Sequence, residues 1–230
     1  NEAGPRFIAE ICSRLLIPLI HLSTDYVFDG AMNRPYIETD FVNPQTVYGK
    51  SKAAGEKAIR RSLDDHIILR TSWVFSSEGP CFPRSILTAA RKRSTLNVVN
   101  DQVGGPTSAN SIAEVIIKAC LIINSRNENG FTGWGTYNYC QFPYVSWYQF
   151  SREILDCAMK LSYLPAEIVL SSVLSSEYPS KTTRPMNSRL DIGKISQLLD
   201  IKESSWRSDL PEIVALITKR LSVGGTQETS

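Results

Sequence analysis

Hydrophobic and polar positions alternate between two periods along the chain. Residues 2 to 16 set Phe7, Ile11 and Leu15 four apart, the spacing of one helical face, and run into Pro18. LIHLS, from Leu19 to Ser23, is then a short apolar run of the kind shown by a parallel strand covered on both faces. NPQTVYGKSKAAGEKAIRR predicts a helix in which Asn43 can cap, Pro44 suits the first turn, and Ala, Glu and Lys fill the rest. HIILRTSWVF, His66 to Phe75, reads as one strand, followed by a helix near Pro83 to Lys92 and a strand from Leu96 to Asn100. A helix from about Asn110 to Ile123, a strand at TYNYC and a helix at SWYQFSREILDCAMKL capped by Ser146 complete the series. Crossovers long enough to hold a helix make the expected class α/β, an open parallel sheet covered on both faces.

Beyond Leu164 the pattern changes to a Ser-, Thr- and Pro-rich stretch and two short helical segments ending near Leu221. The expected organisation is a core over residues 1–164, a small lobe over 165–221 and a flexible tail over 222–230.

Composition narrows the function classes. The 230 residues, 42% hydrophobic and 21% charged, suffice for one sizeable folded unit and exclude a fibrous or disordered chain. A net charge of +2 with dispersed Lys and Arg leaves no electrostatic footprint for nucleic acid. The longest apolar run, LLIPLI, is broken by Pro18 and too short for a bilayer, so no membrane partner is expected. Five cysteines without paired spacing fit buried thiols in a reducing cytoplasm, and no ligand cluster supports a metal site.

The candidate chemistry lies in two stretches. STDYVFDG puts Ser23 and Thr24 at the carboxyl end of a strand, where open α/β sheets place ligands. Tyr48 and Lys52 stand four apart on the following helix, on one face. An ammonium near a phenol favours its ionised form, and bringing that pKa to neutrality takes roughly 4 kcal/mol, a task Lys52 and a cationic nicotinamide could share. Thr24 could hold the oxygen that Tyr48 protonates, which suits reduction of a ketone by hydride.

On these residues the chain resembles the dTDP-4-dehydrorhamnose reductase family of the extended short-chain dehydrogenase/reductase superfamily. STDYVFDG, NPQTVYGKSKAAGEKA, LRTSWVF, VVNDQVGGPTSANSIAEVI, SWYQFSREI and TRPMNSRLD follow the family's order between Asn1 and Leu221. YxxxK alone marks only the superfamily, whereas STDYVFDG with DQxGxPT and RPxNSxL is specific to this branch. The resemblance implies a Rossmann-like sheet with a small substrate lobe, and a catalytic set of Thr24, Tyr48 and Lys52. It also implies NADPH or NADH as hydride donor, held in part by Ser23, Tyr48 and Lys52, and a dTDP-sugar substrate. Thr24, Tyr26 and Trp73 would line the sugar pocket, and Arg184, Asn187 and Ser188 would close over the nucleotide. From its residues alone Trp73 reads equally as core, Arg184 as a surface charge, and Asp101 and Gln102 as turn chemistry. Cys81 stands where relatives commonly have Asn.

The family's glycine-rich phosphate turn has no counterpart here, and GWGTYN reads as a turn. The expectation is that the family's first strands lie outside the sequence, leaving LIHLS as a bare edge and cofactor affinity weak. Two alternatives stay open. The regulatory subunit of methionine adenosyltransferase is similar and non-catalytic, and a sister reductase would act on another 4-keto-6-deoxy sugar nucleotide. A homodimer is also allowed.

Overall fold

A computed structural model describes residues 1–125, 130–164, 168–178 and 184–224. In chain order the elements are α1 (Ala3–Leu15), β1 (Leu19–Thr24), a 3-10 turn (Asp25–Val27), α2 (Val47–Ser62), β2 (His66–Thr71), β3 (Val74–Phe75), α3 (Phe82–Ala90), β4 (Thr95–Val99), β5 (Val103–Gly104) and β6 (Thr107–Ser108). They continue with α4 (Ala109–Ser125), β7 (Gly135–Tyr139), β8 (Val145–Ser146), α5 (Trp147–Lys160), β9 (Val169–Val173), β10 (Asn187–Ser188), α6 (Gly193–Leu199) and α7 (Trp206–Gly224).

The expected α/β class holds, with a central parallel sheet in the order β1-β2-β7. All six residues of β2 are buried, which is why its sequence reads as a nearly unbroken apolar run. β1 lies at the edge, with β2 its only strand partner among the described residues. Ile67, Leu69, Ile112, Tyr139 and Leu190 pack one face of the sheet, and Ala9, Ile59, Leu63 and Ile68 seal α1 and α2 onto the other.

Three expectations are corrected. The strand read from His66 to Phe75 breaks at Trp73, whose φ of 45° turns the chain out of the central sheet, and β3 pairs with β6 instead. The cap of α2 is Thr46 rather than Asn43, because the Thr46 hydroxyl reaches the Gly49 amide at 3.0 Å. The apolar stripe of α1 faces outward: Phe7, Ile11 and Leu15 are each more than half exposed, and Ala9 is the buried residue of that helix. Ser146 does cap α5, in a reciprocal capping box with Gln149.

Residues beyond Leu164 pair with what precedes them. β9 lies parallel to β4 from Thr95↔Val169 to Val99↔Val173, and β10 lies parallel to β5. α7 packs on α3 and α5 around Phe150, Ile154, Trp206 and Ile217. Residues 165–167 at the expected lobe boundary and 225–230 of the expected tail fall outside the described residues.

Candidate active site

At the carboxyl end of β1 the chain tightens into the 3-10 turn, so consecutive side chains meet different neighbours. Thr24 caps this turn: its Oγ1 accepts from the Tyr26 amide at 3.3 Å and donates to Asp25 Oδ1 at 3.0 Å. α2 reaches the tip because Gly49 has no side chain; a Cβ there would lie 2.2 Å from the Tyr26 carbonyl oxygen. That close approach sets the Tyr48 ring edge-on to Tyr26, centroids 5.7 Å apart at 76°, with its phenol close enough to Thr24 for that hydroxyl to lower its pKa. Tyr48 is 48% exposed, so solvent and ligands can reach this side chain.

The electrostatics depart from the sequence expectation. Burial raises the Tyr48 pKa above its usual value and Asp25 adds to the rise, while the Thr24 hydrogen bond opposes it. Lys52 is not among the groups acting on the phenol. Its ammonium donates to the Leu22 carbonyl at 2.5 Å and lies 3.5 Å from His21 Nε2. Burial lowers the Lys52 pKa and Glu56 pulls it back. His21 is lowered to about 4 by burial first and then by Lys52.

The other expected residues divide between this exposed side and the scaffold behind it. Tyr26 is half-buried; burial and Asp25 raise its pKa, and Arg184 lowers it. Arg184 is exposed, its guanidinium 5.7 Å from the Trp147 ring. Trp147 in turn stacks on Trp73, centroids 3.4 Å apart at 9°. The Trp73 indole presses so closely on Gly104 that a Cβ there would lie 2.6 Å from the ring, which explains the glycine in the GGPT turn.

Ser23 was expected on the cofactor side, but it is buried and donates its proton to Glu56 Oε1 at 2.6 Å, behind Thr24. Asn187 was expected at the substrate, yet its amide nitrogen donates to the Met32 and Arg34 carbonyls, both at 2.8 Å, and its oxygen accepts from Arg189. All of its polar capacity is spent holding the 32–34 loop. Ser188 is also buried, close enough to Asp25 to lower its pKa. These two residues tie the RPMNS block to the strand tip, where Pro185 packs against Gly30, and so bring Arg184 near Tyr26. Asp101 and Gln102 bond to Ser175, as turn chemistry predicts.

Sequence reasoning missed Asp25, Glu56 and Trp147. Asp25 is buried with no well-aligned partner for Oδ2, and burial raises its pKa to about 6 against the lowering by Ser188 and Thr24. Arg70 inside the apolar strand HIILRT was the signal for Glu56, since a charge there demands a buried counter-charge. Trp147, next to the capping Ser146, read only as part of a helix. Among the described residues no group of three or more His, Cys, Asp or Glu side chains could hold a metal ion, and no helix is long and apolar enough to cross a membrane.

A parallel sheet with a hydroxyl at one strand tip and a Tyr-x-x-x-Lys pair on the next helix is the arrangement of the short-chain dehydrogenase/reductase superfamily. The sequence model of the RmlD substrate binding domain matches residues 1–219. A dTDP-4-dehydrorhamnose reductase of Aggregatibacter actinomycetemcomitans is 39% identical over 94% of this chain and 72% of its own length. The one from Salmonella typhimurium is 37% identical over 90% and 68%. Among solved structures, a dTDP-4-dehydrorhamnose reductase from Clostridium acetobutylicum superposes with a TM-score of 0.81 at 30% identity, covering 94% of this chain and 72% of that one. Another from Bacillus anthracis, in complex with NADP, gives 0.80 at 26% identity, with coverage of 94% and 71%. The chain belongs to the dTDP-4-dehydrorhamnose reductase family.

Proposed function

We propose that this chain reduces the C4 keto group of dTDP-4-dehydro-L-rhamnose, giving dTDP-L-rhamnose. The observation that carries this is the half-exposed Tyr48 set edge-on to Tyr26 at the tip of β1, its phenol within reach of the Thr24 hydroxyl's electrostatic influence. NADPH or NADH, when bound, supplies a hydride to the ketone carbon and becomes the oxidised nicotinamide. The partly exposed Tyr48 and Lys52 offer a phenol and an ammonium, donors that fit ribose hydroxyls.

Tyr48 gives its proton to the C4 oxygen as charge develops there, and Thr24 holds the same oxygen. Burial pushes the Tyr48 pKa up, so the phenol carries its proton before transfer. Tyr26 and Trp73 wall the sugar site, with Trp147 backing Trp73, and Arg184 offers the diphosphate a planar fork. Ser23, Asn187 and Ser188 act from behind, holding the strand tip and its loops. Five unpaired thiols fit a cytoplasmic setting.

The test is loss of nicotinamide absorbance with the keto-sugar nucleotide, for the parent and for Tyr48→Phe. The substitution is expected to lower kcat by on the order of 10²- to 10⁴-fold with the circular dichroism unchanged. A Phe variant at the parent rate would refute the proton-donor role. Tight nucleotide binding without turnover by the parent would favour a non-catalytic binding subunit, and turnover restricted to another 4-keto-6-deoxy sugar nucleotide would reassign the substrate.

A further inference from the structure

Behind the strand tip lies a fully buried carboxylate that the proposed chemistry does not use. Glu56 is 0% exposed, and its Oε1 accepts from Ser23 Oγ at 2.6 Å and from Arg70 Nε at 2.9 Å. Its Oε2 accepts from Arg70 Nη2 at 2.7 Å and Arg60 Nη1 at 3.2 Å. Ser23 and Arg70 are direct neighbours in the parallel register of β1 and β2. Arg60 also reaches Thr136 on β7, so Glu56 and Arg60 together tie α2 to all three strands of the central sheet.

Tyr48, Lys52 and Glu56 recur every four residues along one face of α2, each four-residue step advancing about 6 Å along the axis. Each has its own anchor on or beside β1: Thr24 for Tyr48, the Leu22 carbonyl for Lys52, and Ser23 with Arg70 for Glu56. The first two anchors stand at a half-exposed surface. The third is dry, bidentate and charge-assisted, so it is the stiff one. Rotating α2 by one residue would swing Tyr48 about 100° off Thr24.

We propose that Glu56 is a positioning residue for proton transfer by Tyr48: by clasping Ser23 and Arg70 on adjacent strands it fixes the rotation of α2, and with it the placement of the phenol against Thr24. This rests on the reductase reading. A carboxylate serving stability alone would leave Tyr48 in place once the fold is restored by other means.

His21 provides a readout that needs no turnover, since the chain has only two histidines. The charged groups facing its ring are Lys52 and Glu56 of α2 and the α-ammonium of Asn1 ahead of α1; Lys52 and the ammonium lower its pKa, and Glu56 raises it. If α2 stays put in Glu56→Gln, losing the carboxylate sends the His21 pKa further down. If α2 turns, Lys52 leaves, the ring is solvated, and the pKa climbs from about 4 toward 6.5.

The experiment combines histidine-ring NMR titration with steady-state kinetics on the full chain, for Glu56→Gln and for Glu56→Met paired with Arg70→Met. The double variant replaces a buried ion pair by apolar chains of similar size, which commonly preserves folding. The expected result in both is a rise in the His21 pKa and a kcat lower by on the order of 10²-fold, with KM for the sugar nucleotide changed less than about threefold. A fall in the His21 pKa, or a kcat within about threefold of the parent, overturns the proposal. A parent without turnover removes the reductase reading alone, and the direction of the histidine shift then decides the role of Glu56.

Discussion

Replacing Gly49 by Ala should separate activity from stability. A Cβ at Gly49 would stand 2.2 Å from the Tyr26 carbonyl oxygen, 3.0 Å from its carbon and 3.1 Å from the Pro44 ring. Ordinary contact to an oxygen needs roughly an ångström more, so either the first turn of α2 lifts from the strand tip or the 3-10 turn gives way. Such overpacking costs about 1–3 kcal/mol. Ala is better than Gly inside a helix by about 1 kcal/mol, which offsets part of that loss. The net destabilisation of about 0–2 kcal/mol corresponds to a melting temperature lower by no more than about 8 °C for a chain of this size. Tyr48 adjoins position 49, so lifting that turn by an ångström carries the phenol off Thr24, and misplacement on that scale costs on the order of 10²-fold in rate. The assay pairs thermal denaturation with nicotinamide oxidation. Parent-level kcat in a folded Ala variant would refute the claim that this close approach places Tyr48.

Two further substitutions test local energetics. Cys81 is the N-cap of α3 but makes no capping bond, its thiol donating to the Ser76 carbonyl instead; Cys81→Ser can do both and should stabilise by about 0.5–1 kcal/mol, read as a higher urea midpoint at unchanged m. Asp25 carries a folded pKa of about 6 against an unfolded 3.8, so the folded state holds its proton more tightly and stability from this group falls as pH rises from 3.8 through 6. Asp25→Asn should therefore stabilise at pH 8 by about 1–2 kcal/mol, after allowing for an unsatisfied amide, and give no gain near pH 4; equal effects at both pH values would contradict the burial argument.

How much of this was legible depended on whether the cause was local. The α2 helix, the cap at Ser146 and the buried β2 follow from propensity and spacing, and the shared helix face of Tyr48 and Lys52 follows from the four-residue repeat. The strand break at Trp73 did not, because its positive φ is stabilised by an indole resting on Gly104, 31 residues away. The resemblance puts Asn187 and Ser23 at the ligands, and a motif says nothing of the partners that here occupy their side chains. Glu56 was hidden for the opposite reason: one Glu among Lys and Ala on a helix looks solvated, and only the facing Arg70 of β2 shows otherwise.

Asp25 and Glu56 show how partners, not residue type, decide what a buried carboxylate does. Both flank the β1 tip, and burial raises the pKa of each. Glu56 receives a bidentate guanidinium and the Ser23 hydroxyl, which together outweigh burial and hold its pKa below the usual value, so it is a fixed anion at neutral pH. Asp25 has hydroxyls and backbone amides but no cation, and these do not offset its desolvation. His21 shifts oppositely to Asp25, from 6.5 down to about 4, so its contribution to stability grows as pH rises across the window in which that of Asp25 shrinks. The two slopes offset each other between pH 4 and 6. Removing Asp25 would therefore leave the histidine slope uncovered, and stability would rise more steeply between pH 4 and 6.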